Sequence, residues 1–241
     1  MRSILFVALL SGCAAAPAVI IRGSHDPALR RDVAEGIRKV EVFFGAPYRR
    51  PPQVDIYPDR ASFDVHFQEV FADATFKSEC WMIGVANGKG LALLDPARWK
   101  DEACDHDRAT AEMVARVVTH ELVHVYHSQV NPLLDTEPDR FEPLGWFVEG
   151  LATYASGQLD EPERAPAREA VASGQAPAAL ADAWKGKYRY GVSGSLVGFV
   201  DAQRGRAAVV KMLQATSQAE LLTAAGTSER ELLDAWAASL R

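Results

Sequence analysis

The chain has 241 residues, with 26 Lys and Arg against 32 Asp and Glu, for a formal charge of −6. That length suffices for one large domain or for two small lobes sharing a cleft. Mild acidity argues against a nucleic-acid or anionic-membrane surface, and no apolar run of about 18 residues follows the first 12 to span a bilayer, so a soluble body is expected.

Met1-Arg2-Ser3 and the apolar Ile4-Leu5-Phe6-Val7-Ala8-Leu9-Leu10 read as a secretory signal over 1–12. Its end, Leu10-Ser11-Gly12-Cys13, resembles a bacterial lipobox. The resemblance implies cleavage before Cys13 and a lipid on its thiol, anchoring the protein to a membrane of the bacterial cell envelope. Ala14 beside the cysteine implies the outer membrane. An ordinary signal cleaved near Ala16 is the alternative. With Cys13 lipidated, Cys80 and Cys104 remain, consistent with one disulfide in an oxidising compartment or with two free thiols.

After a tether over 13–26, a first lobe is expected over 27–130. Asp26-Pro27 is a helix start, and Leu29, Val33, Ile37, Val40 and Phe44 then recur at helical spacing until Gly45-Ala46-Pro47. Residues 53–57 alternate as a strand, and 62–71 read as a helix with Asp59 or Ser62 as its cap. Strands over 81–86 and 91–94 flank the hairpin turn Asn87-Gly88-Lys89-Gly90. They should form a small sheet beside a helix over 109–130.

That helix holds Val117-Val118-Thr119-His120-Glu121-Leu122-Val123-His124-Val125-Tyr126. Two histidines four residues apart face the same side, one turn apart, where both imidazoles can reach one zinc ion. Glu121 lies one residue round, where a carboxylate can touch a water on the ion without ligating the ion itself. Unpaired polar groups among these apolar neighbours would cost several kcal/mol, which favours a metal over a core histidine pair. His127 lacks a following glycine to turn the chain back, and reads as a helix-surface histidine.

A third ligand is needed for a site with one open position. Pro132, Pro138 and Pro143 break the next stretch into loop, which discounts Asp135, Glu137, Asp139 and Glu142. In Gly145-Trp146-Phe147-Val148-Glu149-Gly150-Leu151-Ala152-Thr153-Tyr154, Glu149 is the only charge, and a cation at the histidine pair would balance it. The alternative is an ordinary solvated glutamate.

Taken together, His-Glu-x-x-His and Trp-x-x-Glu-Gly-x-Ala resemble the gluzincin metallopeptidases, in particular their peptidase MA-like branch. The two motifs cover about 35 residues; elsewhere the likeness is one of layout. The resemblance implies an α+β zincin-like fold, a small mixed sheet packed on the His-Glu-x-x-His helix with a helical lobe across the cleft. It implies zinc on His120, His124 and Glu149, Glu121 as general base, and an edge strand that pairs with an extended peptide or protein substrate. No acid matches the one that holds a free amino terminus in related aminopeptidases, Glu79 being the only one nearby.

The remainder, 131–241, supplies the third-ligand helix and the helical lobe. Residues 157–187 read as an irregular surface connection, followed by helices over 191–204, 206–215 and 228–240, the last opened by a Ser228/Glu231 capping box. By resemblance, a tyrosine of this lobe stabilises the oxyanion; Tyr190 is the candidate, Tyr154 a weaker one. Two other functions remain open: a catalytically silent lipid-anchored scaffold or binding protein, and a metallohydrolase of another amide such as cell-wall peptides.

Overall fold

The computed structural model describes residues 19–104, 106, 110–159 and 161–241, with the backbone alone for 161–163. Cys13, the leader expected over 1–12 and Ala109 lie outside the described residues.

The first half alternates strands and helices: β1 (Ile20–Arg22), α1 (Pro27–Phe44), β2 (Gln53–Tyr57), α2 (Arg60–Phe71), β3 (Gly84–Asn87) and β4 (Gly90–Leu94). α1 begins where the Asp26 carboxylate accepts the Ala28 N–H at 2.8 Å, with Pro27 in the first turn where its missing N–H is no loss. Its buried face contains Leu29, Val33, Ile37, Val40 and Phe44, the five positions that the spacing marks out. Burying each contributes on the order of 1.5–3 kcal/mol, far more than the helix's intrinsic propensity. α2 is capped by Asp59, whose carboxylate accepts the Ser62 N–H at 2.7 Å, so it starts two residues before the expected 62.

The four strands run in the order β1-β2-β4-β3. β1, β2 and β4 are mutually parallel, and β3 returns antiparallel to β4 with Asn87 opposite Gly90. Asn87 closes the turn, its Oδ1 accepting the Lys89 and Gly90 N–H groups at 2.8 and 3.2 Å. Residues 20–22, read from sequence as tether, instead pair with β2, Ile21 opposite Val54. Three residues are too short a run for period-2 alternation to reveal them.

The strand expected over 81–86 is shorter, because 79–82 are held by other groups. Met82 N–H donates to the Glu79 carbonyl at 2.9 Å, closing a turn. The Arg60 guanidinium donates to the carbonyls of Glu79, Cys80 and Met82 and to that of Glu102. Cys80 and Cys104 form a disulfide, their Cα atoms 5.4 Å apart, tying this turn to the chain just past α3 (Trp99–Glu102).

Next come α4 (Ala111–Val130), the single turns α5 (Leu133–Thr136) and α6 (Pro138–Phe141), and α7 (Gly145–Ala155). The prolines expected to keep 131–144 irregular sit at or just before helix starts, where proline initiates a turn. α8 (Glu161–Ala172), α9 (Arg189–Arg204), α10 (Arg206–Met212), α11 (Gln218–Ala225) and α12 (Glu229–Ser239) complete the chain. α8 replaces part of the irregular stretch expected over 157–187. It is alanine-rich, the residue with the best helix propensity, and it buries Ala167 and Ala170 in the core despite Pro166 within it. α11 lies outside the helices that the sequence pattern marks, although Ser217 caps it by accepting the Glu220 N–H at 3.3 Å. α12 carries the expected capping box, with Ser228 and Glu231 bonding reciprocally. The whole is a mixed α+β architecture whose buried apolar side chains form one core.

Candidate metal centre

α4 is the central helix. Val118, Leu122, Val123 and Val125 are fully buried on it, which fixes its rotation and turns His120 and His124 towards a cleft. The His120 and His124 Nε2 atoms lie 3.1 Å apart. α7 crosses in front of them and delivers Glu149, whose Oε2 is 3.3 Å from His120 Nε2 and 3.5 Å from His124 Nε2. Donors held about 2.0–2.1 Å from a tetrahedral ion stand about 3.3 Å from one another. The three atoms therefore already form a face of the right size for zinc. Among the described residues this is the only group of three or more His, Cys, Asp or Glu that could hold an ion. Asp135 and Glu137 are engaged elsewhere, with the Gly88 N–H at 2.8 Å and Arg140 at 2.6 Å.

The orientation of His120 is set from outside the triangle. Its Nδ1 lies 2.7 Å from the Gln158 Oε1, an acceptor, so Nδ1 takes the proton as donor and Nε2 keeps its lone pair facing Glu149 and His124. Ser156 Oγ donates to the same Gln158 oxygen at 3.2 Å. Gln158 follows α7 directly, within the stretch that sequence alone assigned to the surface. No local pattern marks it, because its partner lies 38 residues away.

Charge in the cluster is balanced internally. Burial opposes ionisation of Glu149, but the His124 charge and the close approach of the two imidazoles outweigh it and hold the carboxyl well below its usual range. Burial likewise pulls His124 down, and the Glu149 carboxylate pushes it the other way, up to about 9. A metal ion bound there would displace the proton shared by this pair.

Glu121 stands beside the triangle without belonging to it. Burial raises its carboxyl pKa, against the charges of His124 and His120. Its side chain packs on Gly84, the first residue of β3, where an added Cβ would lie 3.0 Å from both Cγ and Cδ of Glu121. Glycine at that position lets the edge strand and the carboxylate meet. The same economy places Gly150 after Glu149: a Cβ there would lie 2.4 Å from the Ser193 carbonyl oxygen, so only glycine lets α7 cross α9 this closely. Glu121, the triangle and the edge strand line one open cleft of about 1280 Å³.

Tyr190 also lines this cleft, its ring centroid 6.4 Å from that of His120. Tyr154 does not serve there, since its hydroxyl donates to Asp201 at 2.8 Å. Trp146 is buried, with its indole N–H on Gln218 Oε1 at 3.0 Å, and anchors α7.

His127 is not a surface residue. It is 2 % exposed, with its Nε2 3.1 Å from the Leu213 carbonyl and its Nδ1 buried without a partner. The final helices cover the face of α4 that sequence reasoning left to solvent. Burial, aided by the His124 charge, lowers its pKa from 6.5 to about 3. Between those values the unfolded chain takes up the proton and the folded chain does not, so stability falls as pH falls. We expect this residue to remove about 2 kcal/mol of stability between about pH 7.5 and about pH 5. Urea titrations at both pH values should show that loss shrink in His127→Gln, which keeps a donor for Leu213. An unchanged pH slope would contradict it.

No family model, curated protein or solved structure matches the chain. The site therefore stands on its own geometry. It is a His-His-Glu group able to hold a metal ion, compatible with a zincin-like site.

Proposed function

We propose that this protein is a zinc-dependent hydrolase of peptide bonds. The observation that supports this most directly is the triangle of His120, His124 and Glu149, sized for a tetrahedral ion, with Glu121 beside it in an open cleft. A zinc ion bound there would polarise a substrate carbonyl and lower the pKa of a bound water to about 7. Glu121 takes a proton from the attacking water and passes it to the leaving nitrogen. Tyr190, at the rim of the cleft, donates its hydroxyl to the oxyanion. Gln158 keeps His120 in the tautomer that the site needs.

The substrate reading rests on β3. Gly84, Val85 and Ala86 line the cleft, and among the described residues β3 has a sheet neighbour on one side only, so its outer edge can pair with an extended peptide. In this proposal a lipid on Cys13 holds the enzyme at the bacterial outer membrane, consistent with the Cys80–Cys104 disulfide of an oxidising compartment.

The test is incubation of the zinc-loaded protein with a defined peptide mixture and, separately, with cell-wall peptide fragments, read by mass spectrometry. Cleavage of the mixture that a chelator stops and zinc restores would support the proposal. Cleavage confined to cell-wall fragments would move the assignment to that substrate. No cleavage of either by a zinc-loaded protein would favour the scaffold reading.

A further inference from the structure

We propose that Arg189 is a specificity residue that binds a carboxylate of the substrate, an inference that rests on the peptide-hydrolase reading. Among the described residues, two arginines line the cleft. Arg116 is paired with Glu112 on its own helix at 2.7 Å. The basic side chains just before Arg189 are paired too, Lys185 with Asp182 at 2.8 Å and Lys187 with Glu169 at 3.5 Å. Among the described residues, Arg189 makes no such ion pair.

Its guanidinium instead rests on aromatic rings, 5.2 Å from the centroid of Tyr190 and 5.6 Å from that of Trp184. Both distances are within the range of a cation–π contact. The two rings meet edge-on at 4.7 Å and support each other. Trp184 is also packed on the first residue of α7, where a Cβ on Gly145 would lie 2.8 Å from its Cδ1. The platform under Arg189 is thus fixed to the helix that delivers Glu149. A planar cation held this way, with one N–H on the Tyr190 hydroxyl, keeps its other donors for a carboxylate and loses little freedom on pairing.

The placement sets the reach. The guanidinium is 5.2 Å from the Tyr190 ring, which is itself 6.4 Å from His120, so it lies within about 12 Å of the His120 ring. An extended chain covers that span in about three residues. The carboxylate is therefore on a residue close to the scissile bond, either an acidic side chain or the carboxyl terminus of a short peptide.

The experiment separates these sources and separates binding from turnover. The zinc-loaded Glu121→Gln protein is titrated by fluorescence with matched dansyl-peptides. One pair differs only in a free or amidated C-terminus; in amidated pairs, Asp replaces Asn at one position at a time. We expect at least one carboxylate-bearing member to bind about five- to tenfold tighter than its neutral partner. Adding Arg189→Met should bring that ratio to within about twofold, while Arg189→Lys should retain part of it. A preference for the free C-terminus identifies the terminal carboxylate, and a preference for Asp the side chain. No difference within any pair, or a preference that survives Arg189→Met, would overturn the assignment. Cleavage of the same peptides by the unaltered zinc-loaded protein is read separately. Its absence would count against the hydrolase reading, and the binding ratios would still decide the role of Arg189.

Discussion

Glu121→Gln should lower kcat/KM on a cleaved peptide about a thousandfold and leave bound zinc unchanged. A positioned general base contributes on the order of 10²–10⁴ in rate, and a neutral amide of the same shape cannot accept the proton. Three features make the substitution a clean one. Glu121 is outside the donor triangle, so the metal should stay. Its contact with Gly84 runs through Cγ and Cδ, which glutamine keeps. The amide also suits a buried position at least as well as a carboxyl group whose ionisation burial already disfavours. Steady-state kinetics at equal zinc loading give the answer, and activity within tenfold of the parent would remove Glu121 from the role of base.

The second large effect is expected at a residue that touches no ion. Gln158→Leu should weaken zinc affinity about 10–100-fold, the usual consequence of losing the partner that orients a ligating histidine. The Gln158 oxygen accepts from His120 Nδ1 at 2.7 Å and from Ser156 at 3.2 Å. Leucine fills similar space without accepting either bond, leaving the imidazole free to rotate or to change tautomer. Gln158→Glu keeps an acceptor and should keep most of the affinity. Competition against a fluorescent chelator reads both variants. Equal affinity in the parent and in Gln158→Leu would mean that packing alone orients His120.

These two residues also mark the extent of what sequence can reveal. Glu121 belongs to a local pattern, since helix periodicity alone places it beside two histidines on a mostly buried helix. Gln158 belongs to none, because its function arises only when α7 folds back over α4. The same division runs through the fold. The five buried positions of α1, the alternation of β2 and the turn of the β3–β4 hairpin are short-range properties and were legible as such. β1 was not, because three residues take their strand conformation from the β2 edge rather than from their own order. His127 was misplaced for a related reason: the chain that buries it, at Leu213, is 86 residues away. α8 was hidden by proline and alanine, residues whose message depends on what packs against them. The meeting of Glu149 with the histidine pair was legible because Glu149 is a lone charge in an apolar run, an imbalance that needs a partner wherever the chain goes.

The most direct test of the central claim is the zinc content of the purified protein, by elemental analysis after gel filtration without chelator. Glu149→Ala is measured in parallel, and circular dichroism of both confirms folding. The proposed site predicts about one zinc per chain in the parent protein and a large loss in a folded Glu149→Ala variant. A folded parent protein that takes up no zinc even when zinc is supplied, or a variant that keeps its zinc as tightly as the parent, would contradict a His120–His124–Glu149 metal centre.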